Sequence, residues 1–295
     1  MHSQDNSISF GRDLRDRVVE RLGLSSPPSV DPTGLRALYG AWCANVPFDN
    51  VCKMMALRSG SNLPLPGRHA VAFFETWLTG GVGGTCWSTS NALFELAISL
   101  GFDAHRIAGC MRDLGIINHA SVRVNINGDT RLVDSSMLTN VPLPLEHEVF
   151  VHDDPVFPAE VEPAGATHVV WWDAPPNSAY LPCRLLADPV DHAYYLAAYE
   201  SSRDRSPFNQ RLYARRNRPG ELLVLLGHTR FSKTVNGLQT RELSPDEVSH
   251  ALREDIGISQ DVVEAWVRAG GLTASFETPQ GPQPPPMLQR PPSKR

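Results

Sequence analysis

No stretch of this 295-residue chain approaches the roughly 18 consecutive apolar residues that cross a bilayer, so no membrane-spanning helix is expected. The opening residues, MHSQDNSISFGRDLRDR, lack the apolar centre of a signal peptide. Basic residues are not in excess. Lys and Arg number 27 against 32 Asp and Glu, and the net charge of −5 argues against a general binder of nucleic acid or anionic membranes. Cysteine is sparse: Cys43, Cys52, Cys86, Cys110 and Cys183 are odd in number, widely spaced and never arranged as CxxC. That excludes a disulfide framework or zinc knuckle and points to a reducing, cytoplasmic compartment. His105, His147, His152, His168, His192 and His228 are scattered without metal-ligand spacing, and no metal is expected. Internal repeats are absent. What remains is an ordinary globular balance, 41% hydrophobic and 20% charged, at a length suited to two closely packed domains or one large one.

The first hundred residues carry helical periodicity. Leu14, Val18, Val19 and Leu22 share one face of a segment starting at Arg12, and Gly23 is placed to cap it. Asp31-Pro32 starts a second helix through Leu35, Leu38, Tyr39 and Trp42. VPFDNV (46–51) interrupts it. A further helix covers 70–78, ends in the glycine cluster 80–84, and is followed by another from Trp87 to Leu100, stopped by Gly101. Beyond Gly101 the period changes to two. Residues 121–126 alternate, Asn127-Gly128 is a hairpin turn, and TRLVDS returns. With short strands at 166–172 and 180–186, the middle third reads as an antiparallel barrel or sandwich. In the last third, ELLVLL (221–226) and the segments 230–235 and 238–243, joined at Asn236-Gly237, are strands. Ser244-Pro245-Asp246-Glu247 starts a helix with a capping box. A short helix follows at 260–267, and the Pro-rich tail from 278 is expected to be disordered.

One cysteine stands out. Cys86 follows a glycine-rich turn, GGVGGTC, at the opening of a helix, where unpaired N–H groups and the helix dipole favour an anion. Such a cysteine is either an activated nucleophile or a small buried residue beside a tight turn. The first reading requires a base. If Asn127-Gly128 is a two-residue turn, residue i pairs with 255 − i. Asp134 then faces Ser121, and His119 projects to the same face two residues away. A three-residue turn without a bulge would separate them.

Cys86, His119 and Asp134, within GGTC, NHASVRV and TRLVDSS, resemble the catalytic residues of the arylamine N-acetyltransferase family. VPFDNV is similar to that family's (V/I)PFEN segment, Pro142-Leu143-Pro144-Leu145 to its stretch after the aspartate, and SPFN (206–209) and the SPDE helix to its C-terminal third. The resemblance spans residues 10–270. It implies an α+β fold: an N-terminal helical bundle (1–102) bearing the nucleophile, a central antiparallel β-barrel (103–205) bearing the His and Asp, and a C-terminal α/β lid (206–277). It also implies ping-pong chemistry, in which Cys86 takes an acyl group from acetyl-CoA or another thioester and passes it to an amine. His119 would be general base and acid and Asp134 its orienter. Phe48, Trp87 and Ser135 are the expected substrate-binding residues. The chain departs from the family's RGGxCxExN line: Val82 stands for the arginine, Ser88 for the polar residue after the cysteine and Ser90 for the asparagine. Asp49 therefore needs a partner other than that arginine. Ser135-Ser136-Met137-Leu138 replaces the glycines that follow the aspartate, which suggests a reshaped cleft and a donor or acceptor other than acetyl-CoA and a simple arylamine. A related branch releases carrier-bound acyl chains as amides, for which Arg211, Arg215, Arg216 and Arg218 would form a basic docking patch for an acyl carrier protein. A cysteine hydrolase or transglutaminase-like enzyme shares the same residue order.

Overall fold

The computed structural model describes residues 10–173, 175, 180–279 and 286–288. Most of the Pro-rich tail lies outside them. Four helices form the N-terminal bundle: α1 (Arg12–Arg21), α2 (Pro32–Asn45), α4 (Ala70–Gly80) and α5 (Cys86–Ser99), with strand β1 (Phe48–Asp49) and helix α3 (Val51–Arg58) between α2 and α4. Asp31 caps α2 by accepting from the Gly34 N–H at 2.8 Å, with Pro32 in the first turn, as the sequence signals. Trp42, Phe73, Phe74 and Trp77 fill the bundle, and the same apolar cluster continues into Val122, Val124 and Ile126, so bundle and barrel share one core.

The barrel strands are β2 (Asp103–Met111), β3 (His119–Ile126), β4 (Asp129–Val133), β5 (Leu143–Pro144), β6 (Phe150–His152), β7 (Ala159–Ala164), β8 (Thr167–Trp172) and β9 (Leu181–Leu185). They form one antiparallel sheet in the order β5-β4-β3-β2-β9-β8-β7-β6, curled until β5 and β6 approach each other. The hairpin register follows the two-residue turn: Val122 pairs with Val133 and Ile126 with Asp129, with Asn127 at φ 52° and Gly128 at φ 89°. Helix α6 (His192–Arg205) then packs on α5.

The C-terminal sheet comprises β10 (Tyr213–Arg218), β11 (Glu221–Leu226), β12 (Thr229–Thr234) and β13 (Gly237–Glu242), followed by α7 (Pro245–Ala251), a wide turn at Leu252–Ile256, α8 (Gln260–Arg268) and α9 (Gly271–Glu277). Ser244 and Glu247 form the expected reciprocal cap of α7. Two features differ from the sequence reading. Thr234 pairs with Gly237, so the second hairpin turns at Val235-Asn236, one residue earlier than Asn236-Gly237. The C-terminal sheet also takes β1 as an edge, Phe48 opposite Arg215, so a strand from the N-terminal third is built into it. No helix among the described residues is long and apolar enough to cross a membrane.

Candidate active site

The turn that delivers Cys86 is bound to β1. The Asp49 N–H donates to the Gly84 carbonyl at 3.1 Å, and the Gly83 N–H donates to Asp49 Oδ2 at 2.7 Å. Glycine is required at Gly83, where a Cβ would collide with the Pro47 carbonyl; one on Gly84 would displace the Ser88 hydroxyl. Asp49 thus finds its partners in backbone, since Oδ1 also accepts from the Val51 N–H at 3.0 Å, and Val82 in the arginine position is buried apolar packing. Burial raises the Asp49 carboxyl to about 6 against the pull of those two donors. Beside the turn lies a small cavity lined by Asp49, Lys53, Gly83, Gly84, Thr85 and Tyr199. Lys53 is buried there, its ammonium donating to the Ser202 carbonyl and hydroxyl, and burial lowers it to about 8.

Cys86 occupies the first position of α5 and is 7% exposed, its Sγ 3.9 Å from the Asn118 carbonyl. The next residue in that loop is His119. Its Nε2 lies 2.7 Å from Asp134 Oδ2, and both side chains are buried, with Trp172 edge-on to the imidazole. Burial disfavours the charged imidazole, but the Asp134 carboxylate overcomes this and raises His119 to about 10; Cys86 on the same ring pulls in that direction too. Asp134 is raised by burial but held below the usual carboxylate value by the charge of His119 and by its hydrogen bonds. Its donors besides His119 are the Ser121 hydroxyl on Oδ2 and the Ser136 and Met137 N–H groups on Oδ1 at 2.9 and 2.7 Å. The structure therefore brings together the three residues singled out in the sequence.

The other sequence candidates sit elsewhere in the packing. Trp87 is buried edge-on to Tyr195 of α6, ring centroids 4.9 Å apart. Phe48 is buried between Phe208 and Tyr213. Ser135 joins the loop after β4 to α5, its hydroxyl 2.8 Å from that of Thr89 and 2.7 Å from that of Ser90. Each makes interior contacts in this structure. Ser135, Ser136, Met137 and Leu138 are likewise all buried. The arginine cluster is split between the interior and the surface. Strand alternation buries Arg215, while Arg211, Arg216 and Arg218 donate to the carbonyls of Leu226, Ile256 and Glu254 respectively.

Sequence reading missed Tyr39, whose hydroxyl donates to the Asp134 carbonyl at 2.7 Å, as well as Lys53, Arg215 and the third-party role of Ser121. Only Ser121 had a signal, since the register placed it opposite Asp134. Among the described residues no group of three or more His, Cys, Asp or Glu could hold a metal ion.

No protein-family model matches the sequence, and no curated relative matches it. Solved structures do. The arylamine N-acetyltransferase of Nocardia farcinica aligns with a TM-score of 0.75 at 18% identity, covering 92% of this chain and 100% of its own. That of Mycobacterium abscessus gives 0.73 at 20% identity over 91% and 99%. The Mycobacterium marinum enzyme in complex with CoA gives 0.72 at 18% identity over 85% and 97%. The chain has the arylamine N-acetyltransferase fold.

Proposed function

We propose that this protein, a divergent relative of the arylamine N-acetyltransferases whose fold it shares, is an acyltransferase that moves an acyl group from a thioester, acetyl-CoA or another acyl-CoA, through Cys86 to an amine. The observation that carries this reading is the buried His119–Asp134 pair, 2.7 Å apart, adjoining a cysteine at the first position of a helix. The mycobacterial neighbour bound to CoA supports the choice of donor. Five free cysteines are in keeping with a reducing cytoplasm.

The chemistry follows from the geometry. Cys86 transfers its proton to His119, whose imidazolium Asp134 stabilises and orients without itself taking the proton. The thiolate attacks the carbonyl carbon of the donor. As the carbonyl reforms, the sulfur–acyl bond of the donor breaks, and the departing thiolate receives the proton from His119. An acyl thioester on Cys86 results. An amine then attacks that carbonyl, His119 removes the amine's proton, Cys86 departs with the electrons of the C–S bond, and an amide is released. In this reading the backbone N–H of Cys86, at the first position of α5, donates to the carbonyl oxygen as it gains charge.

Acceptor dependence tests this against the hydrolase alternative. Release of free CoA from acetyl-CoA is expected to be slow in buffer and to rise at least about tenfold with an aromatic amine or hydrazine, matched by amide formed. Release at one rate with or without amine, yielding acetate, would mean a hydrolase.

A further inference from the structure

The loop that follows Asp134 is shaped by the C-terminal sheet. Met137 connects the two. Its N–H donates to Asp134 Oδ1 at 2.7 Å, while its carbonyl accepts from Arg215 Nη2 of β10 at 2.5 Å. One residue on, the Leu138 carbonyl accepts from the Asn217 amide of the same strand. Both donors are 2% exposed. Arg215 Nε and Nη1 have no hydrogen-bond partner among the described residues, and the Tyr213 hydroxyl lies beside the guanidinium, so the carbonyl of Met137 is its one hydrogen-bonded contact with the loop after Asp134. Burying a cation this deeply is costly. The loop closes on itself through the Leu138 N–H and the Asp134 carbonyl at 3.2 Å, and the Tyr39 hydroxyl accepts from the Thr139 N–H at 3.2 Å, but its backbone is strained. Leu138 has φ 52° and Asn140 φ 63°, a left-handed conformation that a leucine adopts only when its surroundings impose it.

We infer that Arg215, seconded by Asn217, is a positioning residue for Asp134: by gripping the Met137 and Leu138 carbonyls, the C-terminal sheet keeps the Met137 N–H on the carboxylate that holds His119. The inference rests on the reading of Asp134 as the orienter of His119. It extends that reading by making a strand remote in sequence part of the same device. Arg215 reaches Asp134 only through the peptide group between them. Facing His119 are Asp134 and, from α5, Cys86; around Asp134 stand His119 from β3, Tyr39 and Cys43 from α2, Cys183 from β9, Tyr195 from α6 and Arg215 from β10, with Tyr213 beside Arg215.

The test is the titration of the His119 imidazole, followed by NMR in the full chain without any acyl donor. In Arg215→Met the His119 midpoint is expected to fall by about one unit or more, a tenfold loss of proton affinity, because the displaced carboxylate outweighs the loss of the Arg215 charge, which alone would raise the midpoint. Arg215→Lys keeps a cation able to reach the Met137 carbonyl and is expected to restore most of the shift. Asn217→Ala is a milder change, expected to lower the midpoint by about half a unit, and it carries the test should Arg215→Met not fold. A folded Arg215→Met, or failing that a folded Asn217→Ala, with the native midpoint would overturn the inference. Asp134→Asn separates this from the reading beneath it. If Asp134→Asn lowers the midpoint and Arg215→Met does not, only the role of Arg215 fails; if neither does, the His119–Asp134 reading fails with it.

Discussion

Two buried charges at the His119–Asp134 pair set a distinctive dependence of stability on pH. His119 is raised in the folded protein to about 10, above its ordinary 6.5, so its contribution is fully present below pH 6.5 and is lost as pH rises towards 10. Asp134 is lowered, so its contribution is present above the ordinary carboxylate range and is lost as pH falls. Asp134→Asn removes both. Calorimetry of the native chain should therefore show a melting temperature that declines from pH 7 to 10, and the decline should be much shallower in Asp134→Asn. Parallel curves would mean that the two residues do not hold each other's charges. At this scale the sequence was informative where the spacing was local: a glycine-rich turn before Cys86, and a hairpin with one register. Tyr39, Lys53 and Arg215 were not legible because nothing in their own neighbourhoods distinguishes them. Each acquires its role from a chain segment far away, Tyr39 and Arg215 at the loop after Asp134 and Lys53 at Ser202.

Among the elements, α5 bears the greatest demand. Its first turn presents Cys86, and its second is fastened to the loop after β4 by the hydroxyls of Thr89, Ser90 and Ser135, with Ser90 also donating to the Ala120 carbonyl at 2.9 Å. Ser135→Ala takes one partner from each of two buried hydroxyls, which keep their carbonyl acceptors, and is expected to cost about 0.5–1.5 kcal/mol, read from urea unfolding at constant m-value. A cost near zero would mean that the three hydroxyls do not act as a fastening. Elements with strong local signals were readable: α2 from Asp31-Pro32, α7 from its capping box, and the β3–β4 hairpin from Asn-Gly. Others were not. Helix α6 buries only Tyr195 and Tyr199, four residues apart, so HAYYLAAYESSRDR shows almost no amphipathic contrast. Helix α3 begins at Val51, the last residue of VPFDNV, whose extended residues masked its start. The second hairpin slipped by one residue because Gly237, at φ 107°, serves as the first paired residue and not as the second turn position.

At the scale of the whole molecule, the candidate site is assembled from all three parts of the chain. Cys86 comes from the bundle, His119 and Asp134 from the barrel, and the grip on the loop after Asp134 from the C-terminal sheet, which itself incorporates β1 beside the Cys86 turn. The sequence conveyed the order of these parts but not their interleaving, because sheet neighbours 167 positions apart, as Phe48 and Arg215 are, leave no periodic trace. The central claim is that such an assembly exists to carry an acyl group on one sulfur. Intact-protein mass spectrometry after brief exposure to acetyl-CoA, with native protein beside Cys86→Ala, tests it most directly. The account predicts a single acetyl adduct on the native chain that disappears when an amine is added, and none on Cys86→Ala. An adduct of equal yield on both proteins would contradict it, as would a native chain left unmodified by acetyl-CoA and by longer acyl-CoA donors alike.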